Sequence, residues 1–394
     1  MTDLAALLDR TDAVHVAPAR SSFALATAEL VDFDQVPHDE WDRLARAAAE
    51  PNVFYTRAFA EPAKLAFGND VVAIAVRTPS GELVGLAPVR SRRQSYGLPL
   101  RMLLGWTHPF APLSQPLIAE GNAELVAAAL LDFLADSRSG AKLAFWPMLL
   151  VDGAFARALV AQTRARGGQS RILHRHARAA LVCDASQPVA DAVTSKKRKE
   201  LRRQMRRLAE TGEVSFTTAR TPAEVAAALD DFLRLEASGW KGRAGTAAER
   251  SPDLRQFVTS AVNALAASDQ AQVDTLRLNG TAIAAAITLR SGDHAWFWKI
   301  AYDETHAAAS PGVQLTVAIT DQFRAEATTR SVDSCASADH PMINHLWRDR
   351  IELADVLIAS PGVPSFVVDA LCAALRLRSG MASAAKSLRA KLGR

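Results

Sequence analysis

The sequence predicts a mixed α/β protein whose two halves repeat the same order of strands and helices. The chain has 394 residues, which is long for one hydrophobic core and suggests two domains. In both halves the apolar periodicity indicates a strand, two helices, three strands, a helix, a strand, a helix and a strand. A short internal similarity supports the repeat, because 76–91, VRTPSGELVGLAPVRS, resembles 276–291, LRLNGTAIAAAITLRS. We therefore predict a tandem duplication.

The first half covers 21–185 and follows an N-terminal tail, 1–20. Its predicted helices are amphipathic: Trp41, Leu44 and Ala48 share one face of the first helix. The predicted elements are, in chain order, the strand SFALATAELV, the helices HDEWDRLARAAAE and VFYTRAFAEPAKLAF, the strands VVAIAVR, ELVGLAPVR and LPLRMLLGW, the helix AELVAAALLDFLAD, the strand AKLAFWP, the helix GAFARALVAQTRAR and the strand region SRILHRHARAALVCD.

The second half covers 213–360, and a basic helix within 186–212 joins it to the first half. Gly212 ends that helix, since glycine is favoured just after a helix C-terminus. C-terminal helices with a basic tail cover 361–394. The elements of the second half are the strand EVSFTTA, the helices AEVAAALDDFLRLEAS and DLRQFVTSAVNALAA, the strands QVDTLRLNG, AIAAAITLR and HAWFWKIAYD, the helix GVQLTVAITDQFRAEA, the strand SVDSC, the short helix PMINHLW and the strand IELADVLIA.

Composition is that of an ordinary folded protein, with 49% hydrophobic and 22% charged residues. The three cysteines are far apart and odd in number, which argues against a disulfide framework and fits a reducing compartment. The N-terminal residues lack the features of a signal peptide, and no apolar run approaches the ~20 residues that span a bilayer. We expect a cytoplasmic protein.

Positive charge is concentrated in the stretch SKKRKELRRQMRRL at 195–208. The stretch holds eight Lys and Arg and one acid, so it contributes 8 − 1 = +7 to a chain whose formal net charge is +4. Like charges four residues apart destabilise a helix by about 0.2–0.5 kcal/mol per pair, so we expect an anionic partner to offset them. Nucleic acid, an anionic membrane surface and a small phosphorylated ligand are the three candidate partners.

Segments of the second half resemble one enzyme family. They are SKKRKELRRQMRRLAETGEVSF, LRLEASGWKGRAGTA, KIAYDETHAAASPGVQL and VDSCASADHPMINHLWRDR. Together they resemble the GNAT-superfamily acetyltransferases of the cellulose-biosynthesis type, which are related to Fem-type peptidyltransferases. The resemblance is specific over about 190–358 and is mainly one of layout over 20–185. It implies a tandem duplicated GNAT acyltransferase fold and acyl transfer from acetyl-CoA as co-substrate.

The segment ASPGVQL predicts a helix start that can bind a pyrophosphate. The first N–H groups of a helix have no partner within it, and its dipole favours an anion there. Ser310 is a suitable N-cap, Pro311 fits the first helical position, and Gly312 lets a phosphate approach the backbone. The family commonly has two glycines in this loop, whereas this chain has only Gly312. A plain helix cap is the alternative.

Candidate catalytic groups lie at the end of the strand before that helix. The resemblance implies that a backbone N–H within Lys299–Tyr302, which includes Ile300 and Ala301, binds the thioester carbonyl. Tyr302 is a candidate acid for the leaving thiolate, and His340 and His345 are candidates because histidine as a residue type titrates near neutrality. A structural role is the alternative for all three side chains. We expect a groove where strand 293–302 separates from strand 331–335, with Gly312 at its floor.

The loop GWKGRAGT is a candidate lid over the acyl acceptor. Substrate contacts are predicted for Glu236, Trp240, Lys241 and Arg243, with a solvated loop as the alternative. No metal site is expected, since Cys335, His340 and His345 have no further ligand pair near them and zinc needs three or four.

Arg203 and Arg207 of the basic helix are predicted to attract phosphate groups of the substrate. The leading hypothesis is an acyl-CoA-dependent N- or O-acyltransferase whose acceptor is a sugar nucleotide, an exopolysaccharide precursor or a related amine, and is itself phosphorylated. One alternative is a Fem-type ligase that uses aminoacyl-tRNA. The other is a non-catalytic GNAT-fold protein of a polysaccharide-synthesis complex. A peripheral membrane contact is kept as a further partner.

Overall fold

The computed structural model describes residues 26–92, 101–136, 140–183, 195–239, 248 and 251–392. The elements before residue 190 are β1 (Thr27–Val31), α1 (His38–Arg46), α2 (Arg57–Phe67), β2 (Val71–Arg77), β3 (Leu83–Arg92), β4 (Met102–Gly105), β5 (Leu117–Ile118), α3 (Ala123–Ala135), β6 (Leu143–Leu150), α4 (Ala154–Ala165) and β7 (Gln169–Val182). The elements after it are α5 (Ser195–Ala209), β8 (Val214–Ala219), α6 (Pro222–Ser238), α7 (Pro252–Ala266), β9 (Ala271–Leu278), β10 (Thr281–Ser291), β11 (His294–Tyr302), α8 (Pro311–Ala325), β12 (Ser331–Asp333), α9 (Ile343–Leu346), β13 (Asp349–Ala359) and α10 (Ser365–Leu392).

The chain divides into two compact units. Unit 1 comprises Met1–Asn52, Asp70–His176 and Glu352–Arg394. Its strands β1, β2, β3 and β4 pair antiparallel in that order, β4 pairs parallel with β6, and β6 pairs antiparallel with β13. Helices α3 and α4 cover this sheet with an apolar core that includes Val126, Leu130 and Phe155.

Unit 2 comprises Val53–Asn69 and Ala177–Ile351. Strands β8, β9, β10 and β11 pair antiparallel in that order, and β11 pairs parallel with β12. Strand order and pairing directions thus repeat those of β1, β2, β3, β4 and β6. This repetition confirms the predicted fold class, a mixed α/β protein with a duplicated topology.

The units are not continuous in sequence, so they differ from the expected halves 21–185 and 213–360. Residues 53–69 belong to unit 2 because their aromatic side chains pack there. The ring centroid of Phe59 lies 5.4 Å from that of Phe257 and 5.6 Å from that of Trp298. Unit 1 also includes α10. This is one continuous helix, whereas the sequence predicted several.

Unit 2 contains a buried polar network around Asp274. Asp274 is 3% exposed, and its carboxylate accepts hydrogen bonds from Thr218 Oγ1 at 2.6 Å and Gln272 Nε2 at 2.8 Å. Arg290 donates to Gln272 Oε1 and forms an ion pair with Glu326. Burial raises the pKa of Asp274 despite these hydrogen bonds, because a desolvated carboxylate is disfavoured.

Asp274→Asn is expected to stabilise the protein at neutral pH. Because the folded-state pKa is raised, the stabilising contribution of Asp274 is fully present below its unfolded pKa of about 3.9 and is lost as pH rises through its folded pKa. Asparagine stays neutral, so the melting temperature of the variant should exceed that of the parent by about 2–4 °C for each kcal/mol at pH 8. The gap should close towards pH 4. The exposed Asp230→Asn is the control, and a gap that is constant with pH would disprove the assignment.

Candidate functional site

The site begins where β11 and β12 part. The two strands pair in parallel at three positions, from His294↔Ser331 to Trp296↔Asp333. The pairs recorded for the described chain stop there, although β11 continues to Tyr302. The chain after β12 turns at Cys335, whose φ is 52°. Among the described residues, β11 therefore has no paired strand on the side of β12 from Phe297 onwards, which is where the sequence predicted a groove.

A β-bulge precedes the open part of β11. Ile287 of β10 is opposite Lys299 while Thr288 is opposite Phe297, so Trp298 is the extra residue. Bulges bend a strand and increase its twist, which helps β11 to leave β12. From Lys299 to Tyr302 one edge of β11 pairs with β10. Alternate residues of a strand direct their N–H groups to opposite edges, so this segment also presents backbone donors to the opening.

Helix α8 begins next to this opening. Glu304–Ala309 forms a 3₁₀-helix, and Ser310 follows with left-handed backbone angles, φ 53° and ψ 50°. Ser310 occupies the N-cap position as predicted, but its side chain makes no capping hydrogen bond, while Pro311 is at the first helical position. Gln314 N donates to Ser310 O as the first helical bond. The N–H groups before Gln314 therefore have no acceptor within the helix, and they lie at its positive end.

Gly312 allows α8 to approach β11 closely. A Cβ atom on Gly312 would lie 3.2 Å from Cδ1 of Tyr302 and 3.6 Å from Cδ1 of Ile300. The missing side chain thus faces the Tyr302 ring. Gly312→Val would therefore displace Tyr302 as well as alter the start of α8. A change in ligand binding by this variant could not be assigned to the phosphate site alone.

A cleft of about 270 Å³, including its open mouth, lies at the end of β11 and the end of α6. It brings together three groups that the sequence singled out, namely Tyr302, the Ile300–Ala301 backbone and Glu236. It also includes Glu304, which the sequence did not single out. The lining residues are Leu235, Glu236, Gly239, Ile300, Ala301, Tyr302 and Glu304.

Glu236 is a buried acid held by α6. The helix starts with a capping box between Thr221 and Glu224 and buries Phe232 and Leu235, which fixes the orientation of its last turn. Glu236 is 5% exposed, and its Oε2 accepts a hydrogen bond from the backbone N–H of Ala248 at 3.0 Å. The cleft therefore places a desolvated carboxylate beside the end of β11, where the ring of Tyr302 faces Gly312 of α8.

Asp303, beside Tyr302, organises the backbone. Its Oδ1 accepts hydrogen bonds from N and Oγ1 of Thr305 at 2.9 and 2.7 Å and so caps the 3₁₀-helix. Burial alone would raise the pKa of Asp303, but these hydrogen bonds outweigh it and the net shift is downward. Asp303 therefore keeps its negative charge next to the cleft.

The two candidate histidines do not line the cleft. Nδ1 of His340 accepts hydrogen bonds from N of Met342 at 3.3 Å and of Ile343 at 3.4 Å, so His340 holds the backbone at the start of α9. His345 is exposed at the end of that short helix. The other predicted substrate contacts, Trp240, Lys241 and Arg243, lie outside the described residues.

The basic helix α5 packs against the start of α8. Leu201 and Leu208 are buried, and Gln314 Nε2 donates a buried hydrogen bond to Leu201 O at 2.8 Å. Arg203 and Arg207 are exposed, and Arg203 forms an ion pair with Glu200 at 2.8 Å. This hydrogen bond raises the pKa of Arg203 and lowers that of Glu200. Helix α5 thus adds positive charge near the N-terminus of α8, the end of that helix that favours anions.

Metal and thiol chemistry have no support in the described part of the chain. No group of three His, Cys, Asp or Glu side chains there is arranged to hold a metal ion. Burial, with Asp333 adding to it, raises the pKa of the Cys335 thiol well above its ordinary value, so the thiol stays protonated. No helix among the described residues has the length and apolarity needed to cross a bilayer.

Known proteins support the same fold. Residues 195–340 match a family described as acetyltransferase (GNAT) domain. No curated protein matches the chain. A C-terminal domain of a putative lysylphosphatidylglycerol synthetase from Agrobacterium fabrum is 13% identical, with a TM-score of 0.52 over 86% of this chain and 94% of that one. FemX is 11% identical, with a TM-score of 0.54 over 82% and 96%.

A third similar structure is a protein of unknown function from Bacteroides thetaiotaomicron, 12% identical, with a TM-score of 0.52 over 84% of this chain and 99% of that one. Identities this low establish the fold and leave the substrate open. The cellulose-biosynthesis type and acetyl-CoA stay predictions. The chain has a GNAT acyltransferase fold, with the acetyltransferase domain match over 195–340.

Proposed function

We propose that the chain transfers an acyl group from a coenzyme A thioester to an amine, at the cleft beside the end of β11. The observation that carries this proposal is the coincidence of three features at one place. The open edge of β11, the start of α8 and the acidic cleft all meet around Tyr302. Thioester binding, phosphate binding and amine activation each need one of them.

Backbone N–H groups would bind the acyl donor. Coenzyme A supplies an activated acyl carbon and a pyrophosphate. Backbone N–H groups between Lys299 and Ala301 suit the thioester carbonyl, because fixed donors stabilise the negative charge that develops on its oxygen. The N–H groups of Gly312 and Val313 suit the pyrophosphate, and cations of α5 add to the field there.

The acceptor is proposed to be an amine. Glu236 and Glu304 line the cleft together with Tyr302, and no Lys or Arg is among its described lining residues. Such a lining attracts an ammonium group and repels a phosphate. An amine-bearing exopolysaccharide precursor fits, and any phosphate on it would lie outside the cleft.

Two side chains would handle protons. Glu236 takes the proton that the amine loses as its nitrogen bonds to the acyl carbon. Tyr302 gives a proton to the sulfur as the carbon–sulfur bond breaks, and solvent restores both groups. General acid–base catalysis of this kind contributes about 10²–10⁴-fold.

Acetyl-CoA is expected to stabilise the protein and to release thiol only when an amine is present. At 100 times its dissociation constant a ligand adds about 2.7 kcal/mol, which raises the melting temperature by roughly 5–10 °C. The measurement is thermal unfolding with acetyl-CoA or with aminoacyl-tRNA, followed by thiol release with a panel of amines. Stabilisation by aminoacyl-tRNA alone would favour the Fem-type alternative. Stabilisation without turnover of any amine would favour a non-catalytic binding protein.

A further inference from the structure

Helix α10 has two apolar faces. The inner face packs on the sheet of unit 1 through Val368, Leu371 and Leu375, against a cluster that includes Phe145 and Leu357. The outer face carries large apolar side chains that are mostly exposed, namely Phe366 at 71%, Leu377 at 67% and Met381 at 64%. Seven large hydrophobic side chains are exposed in the described chain, and three of them lie on this helix.

These residues form one stripe opposite the inner face. At 100° per residue, Phe366, Leu377 and Met381 fall within about 60° of one another. The small residues Ala370 and Ala373 lie between them and are also exposed. The stripe is about 22 Å long, since a helix rises 1.5 Å per residue. A surface of this length and regularity differs from single exposed hydrophobic residues, which are common.

Cations border the stripe on both sides. Arg376 and Arg378 are exposed and lie about 100° to either side of its centre. The acid on the helix, Asp369, forms an ion pair with Arg171 at 3.3 Å. In the sequence, residues 382–394 hold four Lys and Arg and no acid. An apolar stripe between cations has the pattern of a helix that lies in a membrane interface.

We propose that the outer face of α10 binds an anionic lipid bilayer. Phe366, Leu377 and Met381 enter the boundary between headgroups and acyl chains, and Arg376 and Arg378 extend their cations to the headgroups. Charge decides between this occupant and a second copy of the chain. Two copies packed along this face would bring like charges together, whereas anionic lipid neutralises them. The inference does not depend on the acyl-transfer reaction.

Sedimentation of the full chain with vesicles tests this proposal. We expect binding to phosphatidylcholine vesicles that contain phosphatidylglycerol, little binding to phosphatidylcholine alone, and a decline as salt rises. Phe366→Asn/Leu377→Asn should lower binding about tenfold or more. Leu65→Asn is the matched control, because Leu65 is 79% exposed in the other unit.

A charge variant separates α10 from α5. Arg376→Gln/Arg378→Gln should weaken binding to the anionic vesicles, whereas Arg202→Gln/Arg206→Gln, which removes the same charge from α5, should not. All these positions are exposed, so circular dichroism should show unchanged folding. Parent-like binding by both α10 variants would overturn the proposal. A solution dimer that Leu377→Asn dissociates would overturn it as well, since the face would then belong to a second copy.

Discussion

Glu236→Gln is expected to lower kcat/KM for an amine acceptor by about 10²–10⁴-fold, the range of a lost general base. Glutamine keeps a side-chain oxygen that can accept the hydrogen bond from Ala248 N, so the last turn of α6 and the cleft should persist. The lost property is the negative charge and the ability to take a proton. Steady-state kinetics with saturating acetyl-CoA measure the effect.

The balance between acceptor kinetics and donor affinity distinguishes a base from a structural residue. If Glu236 takes the proton of the amine, Glu236→Gln should lower kcat/KM for the amine while affinity for acetyl-CoA stays within about twofold of the parent. Glu213→Gln, an exposed change in the same unit, should leave the rate unchanged. An unchanged kcat/KM in Glu236→Gln would contradict the assignment.

Asp333→Ala is expected to destabilise unit 2 by about 3–5 kcal/mol, the cost of removing one partner of a buried ion pair. Arg178 is 1% exposed and Asp333 8%, and the guanidinium of Arg178 donates to the Asp333 carboxylate. Asp333 also accepts a hydrogen bond from Cys335 N at 2.9 Å. Asp333 therefore holds the turn at Cys335, where the chain after β12 diverges from β11.

Urea unfolding of the full chain, followed by tryptophan fluorescence, measures this cost. Arg178→Met/Asp333→Leu should recover much of the loss, because it leaves no unpaired buried charge. Asp369→Ala removes the exposed partner of Arg171 and should cost no more than about 1 kcal/mol. A cost below 1 kcal/mol for Asp333→Ala would show that Arg178 finds another partner.

Local pattern predicted the elements that the site needs. Short apolar runs separated by turn residues predicted β9, β10 and β11 in order, and Pro311 marked the start of α8. Pairing followed from order, since strands joined by short turns pair antiparallel and the helical crossover allows a parallel β12.

Contacts between residues that are distant in sequence could not be predicted from local pattern. The packing of Phe59 on Phe257 and Trp298 joins residues about two hundred positions apart, and helical periodicity says only that Phe59 is on an apolar face. The bulge at Trp298 depends on register with β10. The hydrogen bond from Met342 N to His340 depends on the start of a short helix, and helix propensity does not determine where that helix begins.

Hydrogen exchange with and without acetyl-CoA tests the central claim most directly, because it reports on the backbone donors themselves. With acetyl-CoA, exchange should slow in peptides that cover 297–302 and 310–314, the open end of β11 and the start of α8. The same peptides should exchange as in the free protein when an amine is added alone. Unchanged exchange in both peptides at saturating acetyl-CoA would contradict the proposed acyl-donor site.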